Sequence, residues 1–433
     1  MQVLIWAPHV NPGGGERLLM SLGPAIAADP RIEKCLLAIP QGAHEDDDFR
    51  QSGEAPLEVI RLRTPRLVEW LRRDDSILGL RNTRRLKLSL RWRMERALLD
   101  RARQTQIAGW ARHVDVVYAF WPHMEKFPNL QRPVVCTFQD ATYFEFPELL
   151  GATHTLREIQ RAAEWLNRSA RVIVSSEATK AIMLRHFGGP ASTATVIHHA
   201  VSPRREGRLT SPTPTRETLP ERYVVYPANI TAHKNHYLLL AAWARYSRRH
   251  EVPLVLFGHG TDVLRRDWRL EDNIEPQQDR LWGLVRRLGL QEGVDYHALG
   301  YVGSSQAREI LAGAWALIMP SLAEGGGSFP VEEALGLGVP VLCSDIPVMR
   351  EHLSQRRARI AWFDPLSTDS ILQAITDMER EYPEFKTTAI RGAKDPRPTW
   401  EQIASLYVDV LESATKDSNP SVPTTGVQLG IQK

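Results

Sequence analysis

The segment 316–352 concentrates residue types that can bind an anion and sugar hydroxyls. An apolar strand at 317–319 is followed by a triple-glycine turn, and a helix is predicted from near Pro330. Backbone amides of a glycine turn can approach a ligand closely, and a helix N-terminus carries partial positive charge. Carboxylates flank the turn and can accept hydrogen bonds from hydroxyl groups. The residues concerned are Glu324, Gly325, Gly326, Gly327, Ser328, Phe329, Glu332 and Glu333.

Glu332 and Glu333 also have a simpler interpretation, because acidic residues are common in the first turn of a helix. Adjacent helical residues point about 100° apart, so only one of the two can face a ligand. For Glu332 alone, the helix-capping interpretation is favoured.

Lys234 is a second candidate, placed between the strand 224–227 and a helix expected from about Asn235. Its ammonium group and the helix N-terminus can converge on a diphosphate. A lysine at a loop–helix junction is otherwise an ordinary solvated cation, so its role depends on the strand–loop–helix context.

Two segments of the N-terminal half follow strands. Gly13, Gly14 and Gly15 form a turn before a helix, but Leu18 replaces the third glycine of a dinucleotide-binding fingerprint, and a tight structural turn is an equal alternative. Gln139 and Asp140 follow the strand PVVCTF. Glutamine cannot transfer a proton, which argues against general-base catalysis at this position. His9 and His123 also lie at strand ends, where a packing or surface role is favoured.

Short apolar strands alternate with helical patterns from residue 3 onward and again after residue 222. Such a pattern predicts parallel sheets covered by helices on both faces. The expected fold class is α/β, with two doubly wound, Rossmann-like domains that face a central cleft. Predicted boundaries are a first domain at 1–203, a Pro/Ser/Thr-rich linker at 204–221, a second domain at 222–395, a C-terminal helix at 396–414 and a disordered tail at 415–433.

One segment resembles the signature of a known family, the retaining GT-B glycosyltransferases of group 1 (family 4-like). Its sequence is AEGGGSFPVEEALGLGVPVLCSDIPVMRE. The stretches VSSEATKAIMLRHFG, LVLFGHGTD and ALGYVGSSQAREILAGAWALIMPS are similar to other parts of that family. The resemblance implies that Glu324 lies near the donor sugar and Lys234 on the diphosphate. It also implies a ribose-binding glutamate: the family's spacing from Glu324 reaches Glu332, whereas the flanking sequence PVEEA favours Glu333, which is the preferred candidate.

This sequence departs from the family pattern at two positions. Asn229 stands where the family commonly has an arginine that helps to bind the diphosphate, and Gln139 replaces the histidine of a His-Asp pair. The resemblance nevertheless implies front-face substitution, in which the leaving phosphate helps to deprotonate the acceptor. Such a reaction needs stabilisation of the diphosphate more than a strong base.

Composition limits the class of protein. With 433 residues, 43% apolar residues and 24% charged residues, the chain is neither largely disordered nor collagen-like. Its three cysteines are far apart, and no apolar stretch is long enough to span a membrane. The first apolar run has no basic residues ahead of it and is predicted to be a β-strand rather than a signal peptide. The predicted location is therefore cytoplasmic, and no metal is expected, since the acidic run 45–49 reads as a solvated loop.

Residues 61–103 carry 14 Lys or Arg against 5 Asp or Glu. Within this basic block, an amphipathic helix around Trp92 suits an anionic membrane surface, which would place the protein peripherally on the inner face of the membrane. A solvated helix face is an equal alternative. Nucleic-acid binding is disfavoured, because no recognised motif accompanies the charge.

The predicted function is transfer of a hexose of the mannose or glucose class from a GDP- or UDP-linked sugar to a glycan or lipid-linked acceptor, in cell-surface polysaccharide synthesis. No cofactor is expected besides the substrate nucleotide sugar. The main alternative is a catalytically weak sugar-nucleotide-binding or scaffold protein, which the residues Asn229 and Gln139 keep open. An epimerase or a phosphorylase is a third class.

Overall fold

Two parallel β-sheets form the framework of the protein in its computed structural model, which describes residues 1–10, 13–41, 57–73, 84–122, 125–149, 152–200, 219–265 and 276–416. The strands of the first sheet are β1 (Gln2–Trp6), β2 (Lys34–Pro40), β3 (Leu57–Leu62), β4 (Val116–Ala119), β5 (Val134–Phe138), β6 (Arg171–Val174) and β7 (Thr195–Val196). The strands of the second sheet are β8 (Val224–Pro227), β9 (Leu254–Phe257), β10 (Tyr296–Ala298), β11 (Ala316–Met319), β12 (Val341–Ser344) and β13 (Ile360–Phe363).

Both sheets are doubly wound, as predicted. The strand order is β3-β2-β1-β4-β5-β6-β7 in the first sheet and β10-β9-β8-β11-β12-β13 in the second. All of the paired strands run parallel. The chain order reverses between β1 and β4 and again between β8 and β11. In such sheets the crevice outside the carboxyl ends at the reversal is where ligands bind.

Helices cover the sheets. Those before residue 200 are α1 (Gly14–Ala27), α2 (Arg66–Arg73), α3 (Arg84–Ala111), α4 (Thr142–Glu145), α5 (Ala152–Arg168), α6 (Glu177–Phe187) and α7 (Gly189–Ser192). Those after residue 219 are α8 (His236–Trp243), α9 (Pro276–Arg287), α10 (Ser304–Gly313), α11 (Phe329–Gly336), α12 (Pro347–Leu353), α13 (Thr368–Arg380), α14 (Tyr382–Gly392) and α15 (Trp400–Lys416).

The strands are apolar because they are covered on both faces. Along β1, Val3 and Ile5 belong to the core on one face of the first sheet, whereas Leu4 and Trp6 belong to the core on the other. Successive side chains of a strand point to opposite faces, so a strand buried on both sides reads as a continuous apolar run. This is why the sequence alone located most of the strands.

The C-terminal helix α15 follows the second domain in sequence but packs on the first. Its buried side chains, including Tyr407 and Leu411, join the core that contains α1 and one face of the first sheet. The Tyr407 ring lies 5.7 Å from the ring of Tyr118 on β4. Helix α15 was predicted within 396–414, and the structure places it at Trp400–Lys416. The first domain is therefore completed by a helix that follows the second domain in sequence.

Several sequence predictions fall partly or wholly outside the described residues. These are the linker 204–221 up to residue 218, the acidic run 45–49, His123, and the tail from residue 417. Helices α2 and α3 occupy much of the basic block, but the side chains of residues 70–93, Trp92 included, are not described. Among the helices that the structure describes, none is long and apolar enough to cross a membrane.

Candidate functional site

The loops that leave the two reversal points carry most of the predicted site residues. In the first domain, Gly13 is the N-cap residue of α1, and Gly14 and Gly15 are the first two residues of that helix. Lys234 lies after β8, and Glu324 lies after β11, which is the neighbour of β8 in the second sheet. Both loop sets lie at the carboxyl ends of their strands, where helix N-termini present free amides to a ligand.

Lys234 and Glu324 form an ion pair in this crevice. The Nζ atom of Lys234 lies 2.5 Å from Oε1 of Glu324, and the side chains are 22% and 11% exposed. Lys234 ends a short 3₁₀ turn, Ala232–Lys234, and its carbonyl accepts a hydrogen bond of 2.5 Å from the hydroxyl of Tyr226 on β8. The ammonium group is thus held beside the carboxylate from the neighbouring strand.

Asn235 anchors the turn that carries Lys234. Its backbone has a φ of 57°, in the left-handed region, and its side chain is buried. The Nδ2 group donates hydrogen bonds to the carbonyls of Pro320 at 3.0 Å and Pro365 at 2.8 Å. Asparagine tolerates this backbone conformation better than most residues, so it can end the turn and begin helix α8.

The turn Gly325, Gly326 and Gly327 crosses to the first domain. The carbonyl of Gly325 accepts hydrogen bonds from the hydroxyls of Ser176, at 2.8 Å, and Thr179, at 3.2 Å. A Cβ atom on Gly325 would overlap the backbone oxygen of Gln139. The two domains therefore approach each other closely at this turn, and only glycine permits that distance at residue 325.

The neighbouring glycines contact histidines. A Cβ atom on Gly326 would lie 2.5 Å from Cδ2 of His199 in the first domain. A Cβ atom on Gly327 would overlap the ring of His352 on α12. Burial, with a smaller contribution from the charge of His352, lowers the pKa of His199 to about 3, so this ring is neutral at physiological pH.

Gln139 and Asp140 lie at the crevice but bond within the first domain. The Gln139 amide donates to the carbonyl of Phe120 at 3.2 Å, and its side chain is buried. An Asp140 carboxylate oxygen accepts from the backbone N–H of Thr142 at 3.1 Å. The backbone of Gln139 thus contacts Gly325, while its side chain bonds to the residue that follows β4.

Helix α11 begins at the crevice. Ser328 is its N-cap residue, and the buried hydroxyl of Ser328 has no hydrogen-bond partner in the part of the chain that the structure describes. The ring of Phe329, the first helical residue, stacks at 6.4 Å and 10° on His199, and the guanidinium of Arg17 lies 4.8 Å from its centre. The N-terminus of α11 thus lies between two residues of the first domain, His199 and Arg17.

The two adjacent glutamates of α11 have different surroundings. Glu332 is fully buried and contacts Arg356 at 2.8 Å, Arg397 at 3.1 Å and His352 at 3.2 Å, all in its own domain or just after it. Burial alone would raise its pKa, but the hydrogen bond with His352 and the charge of Arg356 outweigh it and lower the pKa to about 2.

Glu332 was predicted among the donor-binding residues, and in the structure its carboxylate contacts three basic side chains rather than the other domain. Glu333, about 100° around the helix, points instead to the first domain and forms an ion pair with Arg17 on α1. Of the two, it is Glu333 that faces the crevice.

The Gly13 turn meets the second domain. Gly13 has a φ of 145°, which favours glycine, and its N–H donates to the Glu16 carboxylate at 3.1 Å. A Cβ atom on Gly13 would lie 3.5 Å from Nδ2 of Asn229, and one on Gly14 would lie 3.9 Å from Phe329. The glycine turn after β1 therefore lies against two predicted donor-binding residues of the other domain.

Glu351 on α12 links the domains at a second place. Its carboxylate accepts hydrogen bonds from the amides of Glu177, at 2.7 Å, and Ala178, at 2.8 Å, at the N-terminus of α6. It also lies 2.6 Å from Nε2 of His198. Burial opposes ionisation, but these hydrogen bonds outweigh it and lower the pKa of Glu351. A carboxylate at a helix N-terminus is favourably placed, so this contact supports the closed arrangement.

The sequence did not single out Arg17, Ser176, His199 or Glu351. They lie in helices or loops with ordinary composition, and only the approach of the two domains brings them to the crevice. His9, the other described histidine considered, lies 3.0 Å from the buried carboxylate of Glu125 in the first domain. Across the described part of the chain, no group of three or more His, Cys, Asp and Glu side chains could hold a metal ion.

Comparison with known proteins gives matches over both halves of the chain. The family model described as Glycosyl transferases group 1 matches residues 210–395, and the model described as Glycosyltransferase Family 4 matches residues 12–205. The chain is 28% identical over 293 residues to O-antigen chain mannosyltransferase B of Escherichia coli. That match covers 66% of this chain and 71% of the relative.

Solved structures share the fold over nearly the whole chain. Alr3699/HepE of Anabaena, in complex with UDP and glucose, has a TM-score of 0.64 at 18% identity, covering 95% of this chain and 100% of that chain. Sucrose-phosphate synthase from Thermosynechococcus elongatus has a TM-score of 0.68 at 16% identity, with 96% and 100% covered. WaaG, a glycosyltransferase involved in lipopolysaccharide biosynthesis, has a TM-score of 0.63 at 16% identity, with 94% and 99% covered.

Proposed function

The chain belongs to the group 1 glycosyltransferases and has the GT-B fold, and on that basis we propose that it is a retaining hexosyltransferase. The donor is a GDP- or UDP-linked sugar of the mannose or glucose class, and the acceptor is a glycan or a lipid-linked glycan. The 28% identical relative is an O-antigen mannosyltransferase, which favours mannose and cell-surface polysaccharide synthesis.

The observation that carries this proposal is the position of Lys234. Its ammonium group lies 2.5 Å from Glu324, at the reversal point of the second sheet, where the first domain closes over the turn that follows Glu324. A cation and the N-terminus of α11 can together hold a donor diphosphate. Glu324 then releases Lys234 to the phosphates and accepts hydrogen bonds from the donor sugar.

Other donor contacts follow from the same placement. Glu333 accepts hydrogen bonds from the ribose hydroxyls, and the buried hydroxyl of Ser328 donates to a phosphate oxygen. The amides of Gly325, Gly326 and Gly327 line the sugar pocket opposite Gln139 and Asp140. The Gly13 turn, against Asn229 and Phe329, closes the phosphate end from the first domain.

An aromatic pair beside this region suits the nucleobase. His259 and Tyr301 follow β9 and β10, their rings stack at 4.6 Å, and Tyr301 is 61% exposed. The backbone N–H of His259 donates to the side chain of Asn229 at 2.9 Å, which places the pair next to the proposed phosphate site. Stacking on an aromatic face is favourable for every base.

The proposed reaction is a front-face substitution. The bond between C1 of the donor sugar and the diphosphate oxygen breaks, and the acceptor oxygen bonds to C1 on the same face. The acceptor proton passes to the leaving phosphate, so no protein base is required, in agreement with glutamine at position 139. The role of Lys234 and α11 is to stabilise the charge that develops on the diphosphate. Closure excludes water and limits hydrolysis of the donor.

For the acceptor side, we propose contact with the anionic inner face of the membrane through the basic block 61–103. The block carries 14 Lys or Arg against 5 Asp or Glu, and Met94 on α3 is 51% exposed. Basic residues with exposed apolar side chains bind such surfaces. This contact would bring the protein to a lipid-linked acceptor at the membrane surface.

The test measures nucleoside diphosphate release and sugar transfer from a panel of GDP- and UDP-linked hexoses, with the wild type and Lys234→Ala. We expect one donor to be turned over, and Lys234→Ala to lower kcat/KM by about 100-fold or more. The matched control is Lys416→Ala, at an exposed lysine in the last turn of α15, which should retain full activity. Tight donor binding without turnover would instead support the non-catalytic alternative, and equal activity of Lys234→Ala would contradict the proposal.

A further inference from the structure

We propose that Arg17, which is supplied by the first domain, binds the donor diphosphate together with Lys234 of the second domain. The inference rests on the proposed function and adds a residue that its sequence pattern does not indicate. It also gives donor binding a direct means of holding the two domains together.

The side chain of Arg17, a residue of α1, lies at the N-terminus of helix α11. Its guanidinium is 4.8 Å from the ring centre of Phe329, the first residue of α11, and it forms an ion pair with Glu333 in the second turn. The side chain is only 27% exposed. A ligand at the N-terminus of α11 would therefore meet the guanidinium from the opposite wall.

The charges in the crevice support this position. Glu324 forms an ion pair with Lys234, and Glu333 forms one with Arg17. Asn229, which precedes Lys234 on the same loop and lies close to Gly13, is uncharged. A diphosphate carries a negative charge on each phosphate group, and the single positive charge of an ammonium group compensates only one of these charges.

Donor binding would then exchange partners. The ribose hydroxyls donate to Glu333, which releases the guanidinium toward the phosphates a few ångströms away at the helix N-terminus. The planar guanidinium suits two phosphate oxygens at once, whereas an ammonium group acts as a point charge. Because Arg17 and Lys234 lie on different domains, a diphosphate between them links the domains.

The test separates binding of the phosphates from binding of the nucleoside. Affinities of the wild type, Arg17→Ala and Arg17→Lys are measured by calorimetry for GDP and guanosine and for UDP and uridine. We expect Arg17→Ala to reduce the ratio of diphosphate to nucleoside affinity by about 10- to 100-fold, with nucleoside affinity retained or increased because Glu333 loses its ion pair with Arg17. Arg17→Lys should recover part of the ratio.

Two further variants make the result specific. Arg185→Ala removes an ion-paired arginine of the same domain, which contacts Glu145 at 2.8 Å, and should leave both affinities unchanged. Tyr301→Ala should weaken the nucleoside and the diphosphate by the same factor. With the diphosphate present, small-angle scattering should show a more extended average shape for Arg17→Ala than for the wild type, because the diphosphate no longer links the domains.

The outcomes distinguish the two levels of the proposal. A wild type that binds neither diphosphate contradicts the proposed function and this inference with it. A wild type that binds one of them, while folded Arg17→Ala keeps the same preference for diphosphate over nucleoside, contradicts the inference alone. Equal losses for diphosphate and nucleoside in Arg17→Ala would also overturn it, since they would indicate a structural role.

Discussion

At the scale of single residues, the site depends on which of two adjacent glutamates faces the crevice. Glu332 is surrounded by three basic side chains of the scaffold, and Glu333 reaches Arg17 across the domain boundary. A rotation of one residue along the helix therefore separates a carboxylate that pairs within the scaffold from one that faces the crevice.

This difference predicts opposite phenotypes for two neighbouring substitutions. Glu332→Gln leaves Arg356 and Arg397 without a compensating buried charge, so we expect the free energy of unfolding to fall by about 3 kcal/mol. Glu333→Gln should change stability little but should weaken donor binding by about tenfold or more, because a neutral amide is a poorer acceptor for hydroxyls.

Chemical unfolding measures the stability of both variants, and titration with the donor measures their affinity for it. Each variant is the control for the other. The reverse pattern, in which Glu333→Gln is unstable and Glu332→Gln binds donor poorly, would show that the helix faces have been assigned the wrong way round.

The sequence could single out Lys234, Glu324 and Glu333 from local signals. Lys234 stands between a strand and a helix, Glu324 precedes the glycine turn, and Glu333 lies in the helix that follows that turn. Arg17 carried no such signal, since an arginine in the first turn of an amphipathic helix is usually solvated. Its position depends on contact between two residues that are 316 apart in sequence. The environment of Glu332 likewise depends on Arg356 and Arg397, which are remote in sequence.

At the scale of elements, the turn Gly325, Gly326 and Gly327 fits tightly against the first domain. Gly325 itself has no positive φ, so an alanine there is compatible with its own backbone conformation. The obstacle to a side chain at residue 325 is the backbone of Gln139 in the other domain.

Gly325→Ala should therefore block closure without unfolding either domain. We expect an unchanged circular dichroism spectrum and a melting temperature within a few degrees of the wild type. Activity should fall by about 100-fold or more, because misplacement of the reacting groups by about 1 Å is sufficient for such a loss.

Steady-state kinetics and small-angle scattering of Gly325→Ala check this prediction. Gly283→Ala, on helix α9 with no atom within 4 Å of the added methyl group, is the matched control and should remain active. If Gly325→Ala retains wild-type kcat and compactness, the close approach of residue 325 to Gln139 is not needed for catalysis.

Most elements were predictable because their strands are continuous apolar runs. The exceptions have physical reasons. Strand β3, at the edge of its sheet, is interrupted by the charged residues Glu58 and Arg61. Strand β7 has only two residues, and β13 is an edge strand of four residues in which Ile360 and Trp362 are only half-buried. The apolar stripe of α15 identified a helix, but a stripe does not specify which core covers it, and α15 packs on the domain at the other end of the sequence.

At the scale of the whole molecule, folding buries neutral histidines at or near the crevice. Burial lowers the pKa of His199 to about 3 and that of His236 to about 3, and burial together with the charge of Lys234 lowers the pKa of His233 to about 4. In the unfolded chain these groups titrate near pH 6.5. Between these values the unfolded state binds more protons than the folded state.

The free energy of unfolding should therefore be independent of these histidines above about pH 6.5 and should decrease as the pH falls below it, by up to about 1.4 kcal/mol per pH unit for each histidine. Urea unfolding at about pH 7, 6 and 5 measures this slope. His199→Gln should reduce the slope of the unfolding free energy against pH, because unfolding then takes up as much as one proton fewer. Carboxylates with lowered pKa values, such as Glu332, contribute only at more acidic pH. A stability that is constant from about pH 7 to 5 would contradict the burial of these rings in their neutral form.

The domain arrangement brings all of these features to one place, because both sheets reverse their chain order at the same crevice. The most direct measurement is a crystal structure of the chain with a bound nucleoside diphosphate, GDP or UDP. We predict that the phosphates lie within hydrogen-bond distance of Nζ of Lys234 and of the first amides of α11, and that Glu333 contacts the ribose. A diphosphate bound elsewhere, with Lys234 still paired only with Glu324, would contradict the proposed donor site.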